Sequence, residues 1–355
     1  MRKLTCSLVF ILFLSVDAFA WGDYGHRLVA RIAGRFLTPQ SQTVIANLLK
    51  TDIRSNPAYY QERCPNVSAL EKKRNLTPAQ QATFVEKGLA CIAPWPDPPL
   101  KFDRPYTSNW HFIDIPVNLN GPNGRVTTTV DLARDCRMDD ARGDCAVLAV
   151  RRFRPILANA KEHAISRAEA LKFIVHIIGD LHQPLHCVTD KKDFSNLDDI
   201  GDIGGNRKVV QFNVPAWDNN SHKDVNPRWK EQWNLHSVWD EAFIDATMYL
   251  QHLDEEKYFN RLIKALVDAT PEARAEVQRG DLSTWISDSY EIAVERVYSL
   301  PPFDPYYEYR DKNGNTRKGG YKLEPSYYTE NADVVDEQLK KGGLRLAQFL
   351  NETFK

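Results

Sequence analysis

The chain has 355 residues and sets 46 basic against 47 acidic side chains, which excludes a broad basic face: any polyanionic partner must be held by something more local. That length is enough for one large domain or two small ones, with a sizeable core either way. Past the first segment no stretch offers the roughly 18 uncharged apolar residues of a membrane-spanning helix, and no repeat or low-complexity tract is found.

The opening MRKLTCSLVFILFLSVDAFA has Arg2 and Lys3 before an apolar run from Leu8 to Val16 and a small-x-small end at Ala18 and Ala20. This is the pattern of a secretory signal peptide, so residues 1–20 are expected to be removed and the mature chain to begin at Trp21. Cys6 lies within that segment and reads as incidental. Cys64, Cys91, Cys136, Cys145 and Cys187 survive it, an odd number that leaves at least one unpaired; Cys136 with Cys145 and Cys64 with Cys91 are the expected disulfides.

From Trp21 onward, Leu28, Val29, Ile32, Ala33 and Phe36 recur at helical spacing, and Thr38-Pro39 marks a new helix start. Residues 93–99 are proline-rich and read as an ordered loop, residues 110–117 as a strand, and residues 118–145 as a long surface excursion. Helices are expected over 147–160 and 166–181, a second surface excursion over 191–206 and a strand over 208–214. Further helices are expected over 233–250, 256–266, 271–279, 282–298 and 331–354, with 301–305 an ordered loop. The fold class is therefore mainly α, a single large helical domain over 21–355 with a few short strands.

Five of the nine histidines fall into local patterns that share one logic. In FIVHIIGDLHQPLH, His176 and Asp180 are four apart and project from one face of a helix; Pro184 then bends the chain before His186. In NLHSVWD, His236 and Asp240 repeat the spacing. Two facing helices of this kind can aim preoriented ligands at a common point. WPDPP adds Asp97, and NWHFID adds His111 on the expected strand. Imidazole with carboxylate and no thiolate suits zinc. A lone His-x3-Asp pair is most often a surface ion pair, but two pairs embedded in apolar sequence, where unpaired polar groups are costly, point to a metal site. His163, His182, His222 and His252 read as structural or surface residues, with His182 the one candidate for supporting a ligand.

WGxxGH from Trp21, W-x-D ending at Asp97, NWHFID, H-x3-D-x5-H, GGN ending at Asn206 and NLHxxWD follow one another in this order. Together they resemble the zinc-dependent S1/P1 nuclease family, which shares its fold with bacterial zinc phospholipases C. The resemblance runs from Trp21 to about Asp240 and is weak in the last hundred residues. It implies the phospholipase C/P1 nuclease fold and three zinc ions: one held by Asp97, His111, His176 and Asp180, one by His186, His236 and Asp240 with open positions, and one by Trp21, His26 and Asp180. Trp21 would bind through its α-amine and carbonyl oxygen, so cleavage completes the site; an amine with a reference pKa near 8 yields its proton to a cation at neutral pH. Three divalent ions against three carboxylates leave a cationic well in a near-neutral protein.

The resemblance further implies Asp114 as the carboxylate that orients the attacking water, against a plain reading as a turn or salt-bridge residue. Lys101, with Arg104 as fallback, would neutralise charge on phosphorus; Phe112 would stack a base; Asn206 would contact a base edge or brace the loop carrying His186. The implied activity is hydrolysis of single-stranded DNA and RNA to 5′-phosphorylated products, with 3′-nucleotidase activity left open. Competing readings are a zinc phospholipase C on the same fold and a non-catalytic zinc-binding protein; three protein ligands at the second ion argue against the latter. The expected partners are single-stranded nucleic acid or nucleotides, without stable membrane association, for a monomer that is secreted or periplasmic. Four Asn-x-Ser/Thr sites, at Asn66, Asn75, Asn219 and Asn351, matter only in a glycosylating host.

Overall fold

Prolines set many of the helix starts. Pro39, Pro57, Pro65 and Pro78 open the helices Pro39–Ser55, Pro57–Arg63, Pro65–Glu71 and Pro78–Ile92, where a preset φ helps and the missing N–H has no intrahelical partner to lose. Thr38 caps the first of these by accepting the Ser41 N–H at 3.2 Å, and Thr77 forms a capping box with Gln80. In this computed structural model the described residues are 21–73, 75–97, 100–119, 124, 130–136, 144–192, 199–215, 232–311 and 313–355. The expected signal segment and His222 lie outside them. The helices over 57–92 go beyond the sequence reading.

The remaining helices lie close to expectation: Ala146–Ala158, Ala164–Asp180, Glu255–Asp268, Pro271–Gln278 and Leu282–Ile292, the last continued by a π-turn over Ala293–Val297. The C-terminal helix Pro325–Thr353 starts six residues before the expected position. It lies on the N-terminal helix Asp23–Arg35, whose Leu28, Val29, Ile32 and Ala33 are fully buried. Gly343 permits that approach, since a Cβ there would stand 2.4 Å from Ile32 Cβ. These helices enclose one continuous apolar core, so the fold is mainly α as the sequence indicates. Among the described residues no helix is long and apolar enough to cross a membrane.

Strands are short. β1 (Pro116–Val117) pairs in parallel with β2 (Thr189–Asp190); β4 (Trp233–Asn234), β3 (Val209–Phe212), β6 (Thr316–Leu323) and β5 (Asp304–Arg310) form a four-stranded sheet in that order. Three expectations need correction. The 110–117 strand shrinks to β1, because Pro105–His111 is a 3-10 helix opened by a proline and only the far end finds a ladder partner. The 301–305 loop gives way at Asp304 to β5, an edge strand that tolerates Pro305. The 191–206 excursion is not wholly superficial, since Asp202, Gly204, Gly205 and Asn206 are buried against the site. The expected disulfides Cys64–Cys91 and Cys136–Cys145 are both present, and Cys187 is a free, buried thiol.

Candidate metal centre

The site is built at the C-terminal end of the Ala164–Asp180 helix. Every residue from Leu171 to Asp180 is buried, so this half of the helix is a core element and its polar side chains must find partners inside. His176 Nδ1 donates to the Ala93 carbonyl at 2.7 Å. A carbonyl can only accept, so Nδ1 keeps its hydrogen, and in the neutral ring the Nε2 turned towards Asp180 Oδ2, 3.3 Å away, is left as a lone-pair donor.

The β1–β2 ladder then brings NWHFID against HQPLH. Ile113 N–H donates to the His186 carbonyl at 2.8 Å and His186 Nδ1 donates to the His111 carbonyl at 2.7 Å, a reciprocal tie between two site histidines. His111 thus sits at the end of a 3-10 turn and not on a strand. Its Nδ1 lies 2.8 Å from His176 Nε2, 3.1 Å from Asp180 Oδ2 and 3.9 Å from Asp97 Oδ1, and His176 Nε2 lies 3.7 Å from Asp97 Oδ1. Four ligands about 2.0–2.1 Å from a tetrahedral ion stand roughly 3.3–3.4 Å apart, so these separations can close around one cation. The Asp97 loop is itself steadied: Trp95 lies under the buried Lys172 ammonium, 3.7 Å from the ring centroid, and Lys172 pairs with Asp52 at 2.8 Å.

A second group forms where the chain folds back. His236 lies on the Leu235–Ser237 turn and Asp240 in the π-turn Val238–Ala242, an interruption of the helix that continues as Phe243–Leu250. His236 Nδ1 donates to the Gly204 carbonyl at 2.6 Å. Since His186 Nδ1 is also spent on a carbonyl, the two rings, when neutral, present hydrogen-free Nε2 atoms to each other at 3.0 Å, with Asp240 Oδ2 3.3 Å from that of His236. Two lone pairs so close favour a cation beside them. Gly204 makes this possible: its φ is +54°, and a Cβ there would stand 2.3 Å from the Leu185 carbonyl oxygen.

His26 completes the constellation from the N-terminal helix. Its Nε2 is 3.2 Å from Asp180 Oδ1 and 3.9 Å from Asp97 Oδ2, and its ring stacks on His176 with centroids 3.9 Å apart. Three buried groups of donors therefore lie close enough to hold metal ions: His26, Asp97 and His176; His111, His176 and Asp180; His186, His236 and Asp240. Trp21 is fully buried, and the next residue, Gly22, donates its N–H to the Asp240 carbonyl at 2.9 Å, which ties the segment to the second group. In the full-length chain the Trp21 nitrogen is an amide.

Other expected residues are placed less decisively. Phe112 and Asp114 are half-buried beside His111; the Phe112 carbonyl accepts the Ala146 N–H and the Asp114 N–H donates to Asp135. The Lys101 side chain lies outside the described residues, and Arg104 is paired with Glu169 at 2.8 Å. Asn206 donates its amide to the Ile203 carbonyl and so braces the turn that presents Gly204. His182 is buried, donates to Ile178 and lies 3.4 Å from Arg345; burial, then Arg345, pushes its pKa down to about 3, so it is a neutral packing residue. Sequence reasoning missed Gln183, whose side chain donates to Asp240 Oδ1 and accepts the Leu185 N–H. A glutamine three residues from each of two candidate ligands, Asp180 and His186, is the signal that could have found it.

The family model for S1/P1 nuclease matches residues 21–355. The chain belongs to the S1/P1 nuclease family. This nuclease, a hydrolase of phosphodiester bonds, is 26% identical to Endonuclease 3 of Arabidopsis thaliana, over 100% of its own chain and 96% of that protein. It is 25% identical to Nuclease P1 of Penicillium citrinum, over 94% and 97%, and 25% identical to Nuclease S1 of Aspergillus oryzae, over 94% and 91%. The family match thus continues through the last hundred residues, where the motifs are weak.

Proposed function

We propose that this nuclease is an exported, zinc-dependent endonuclease that hydrolyses single-stranded DNA and RNA to 5′-phosphorylated products. One observation carries the reading: backbone carbonyls hold three imidazoles so that their hydrogen-free nitrogens converge on buried carboxylates. Nitrogen and oxygen donors with no thiolate suit zinc. Asp97, His111, His176 and Asp180 would hold one ion, His186, His236 and Asp240 a second, and Trp21, His26 and Asp180 a third. When bound, zinc supplies Lewis-acid polarisation of phosphoryl oxygen and acidifies water at working pH.

The chain's own side chains do the rest. Asp114 accepts a hydrogen bond from the attacking water and orients it in line with the scissile bond. Lys101 offsets charge building on the phosphoryl oxygens. Phe112 stacks a base, an interaction of about 1–3 kcal/mol per base that needs an unpaired strand and so favours single-stranded substrates. The disulfides Cys64–Cys91 and Cys136–Cys145 suit an oxidising compartment, in keeping with export.

The deciding experiment measures metal per chain in the processed protein, together with cleavage of single-stranded and duplex DNA before and after chelation. The expected result is bound zinc, single-strand cleavage that chelation abolishes, and recovery on adding zinc. Undiminished cleavage after complete metal removal, or release of phosphocholine from lipid with no nucleotide released, overturns the reading.

A further inference from the structure

Beside the candidate metal ligands, a cleft of about 610 Å³ opens between residues 190–192 and 199–209 on one side and the β5–β6 hairpin on the other. On its first wall, Lys208 is spent on Asp190 at 2.9 Å and Asp202 at 3.6 Å, while Asp199 accepts main-chain N–H groups of Lys192 and Gly201. Lys191 is different. It is only 8% exposed and lines the cleft, yet no described acceptor pairs with its ammonium. Its stem is packed away while its ammonium keeps solvent access at the cleft, where it can meet an anion from outside. Lys192 and Arg207 line the cleft beside it.

The other wall is aromatic. Phe303 is 55% exposed, packs edge-on against Tyr321 at 5.4 Å between centroids, and shares the cleft with Tyr309. A cationic wall facing flat rings is the pairing that single-stranded nucleic acids use: phosphate on the cations, base on the ring. The cleft also adjoins the metal centre. Gly201 and Asp202 line it, and Gly204, whose carbonyl orients His236, is three residues beyond Gly201, at most about 11 Å of chain.

We propose that this cleft is a second nucleotide subsite, which binds a phosphate of the substrate strand other than the scissile one at Lys191 and stacks a neighbouring base on Phe303. It rests on the single-strand nuclease reading and adds to it a dependence on substrate length. A dinucleotide has a single phosphodiester, and with that at the metal centre none remains for Lys191, whereas a longer strand supplies both.

The test compares wild type with Lys191→Gln and Phe303→Ala in two arms. The first measures KM for a single-stranded 20-mer and for a dinucleotide; the second measures affinity for a phosphorothioate 20-mer across a salt series. Lys191→Gln is expected to raise the 20-mer KM relative to the dinucleotide KM roughly tenfold or more and to make the logarithmic salt slope shallower by about 0.7. Phe303→Ala, on an exposed side chain, is expected to weaken the 20-mer about 5-fold or more without changing that slope. Parallel loss on both substrates with an unchanged slope for Lys191→Gln overturns the subsite. Should wild type cleave neither substrate, the nuclease reading falls, and the binding arm still decides: equal affinities and slopes for all three proteins eliminate the subsite.

Discussion

Gly204→Ala perturbs the metal centre through a residue that supplies no ligand side chain. Gly204 has φ +54°, and an added Cβ would stand 2.3 Å from the Leu185 carbonyl oxygen and 3.3 Å from His236 Nδ1. Holding an L-residue in the left-handed region costs about 1–2 kcal/mol. The Leu185 contact is far inside van der Waals range, so the turn must recoil by roughly 1 Å. The Gly204 carbonyl accepts from His236 Nδ1 at 2.6 Å, and such a recoil carries it beyond hydrogen-bond range. Losing the outer partner of a ligating histidine typically costs 10–100-fold in metal affinity, or about 1.4–2.8 kcal/mol. Gly205→Ala is the matched control: its φ is +79°, but its added Cβ meets only Leu185 Cδ1 and Leu235 Cβ at 3.3 Å and the His236 N at 3.4 Å, so it carries the backbone penalty without driving the turn off Leu185. Chelator-competition titration of zinc is the assay. Gly204→Ala should bind zinc at least about tenfold more weakly than Gly205→Ala. Equal zinc affinities in the two variants would show that the carbonyl does not orient His236.

Asp180→Asn removes a carboxylate lying 3.2 Å from His26, 3.1 Å from His111 and 3.3 Å from His176, so zinc per chain should fall and single-strand cleavage drop by at least about 100-fold; full metal content with near-normal turnover would dismiss the bridging role. The Cys64–Cys91 disulfide spans 27 residues, and replacing both cysteines with serine should lower the unfolding free energy by about 3–4 kcal/mol, read from denaturant titration under non-reducing conditions. Burial raises the Asp336 carboxyl above its ordinary value although Tyr258 and Arg261 oppose this. The native state then holds that proton more tightly than the unfolded chain, so the group's contribution to stability is fullest below the unfolded value and is lost as pH rises through the raised one. The stability of wild type minus that of Asp336→Asn should therefore decline from about pH 4 upward, with a slope no steeper than about 1.4 kcal/mol per pH unit; a difference that grows with pH contradicts the assignment.

How much of the site could be read without coordinates depends on the range over which each part is specified. His176 and Asp180 share one helix, so the helical period alone places both on one face. The same spacing pairs His236 with Asp240, although the backbone there switches from α to π and the pair closes across that irregularity. His111 shows where local reading fails: NWHFID has the aromatic and branched composition of a strand, but Pro105 opens a tight turn, and the ladder that fixes the histidine comes from the distant His186 segment. Tertiary pairing overrode propensity.

The orienting groups were harder to read for a different reason. Ala93, His111 and Gly204 act through main-chain carbonyls, and a carbonyl is common to every residue, so no side-chain type announces it. Gly204 leaves a trace only because its left-handed φ and the Leu185 contact exclude a Cβ. The β5–β6 hairpin left still less: prolines, glycines and lysines interrupt its tyrosines, and it is stabilised by pairing with β3 in the interior of the four-stranded sheet. Metal ligands must be chemically distinctive and several come from single short segments, so their motifs survive as text. The Lys191 and Phe303 walls come from segments more than a hundred positions apart and use residue types common on any surface. A second nucleotide subsite of that kind can be found only after the sheet has brought its halves together.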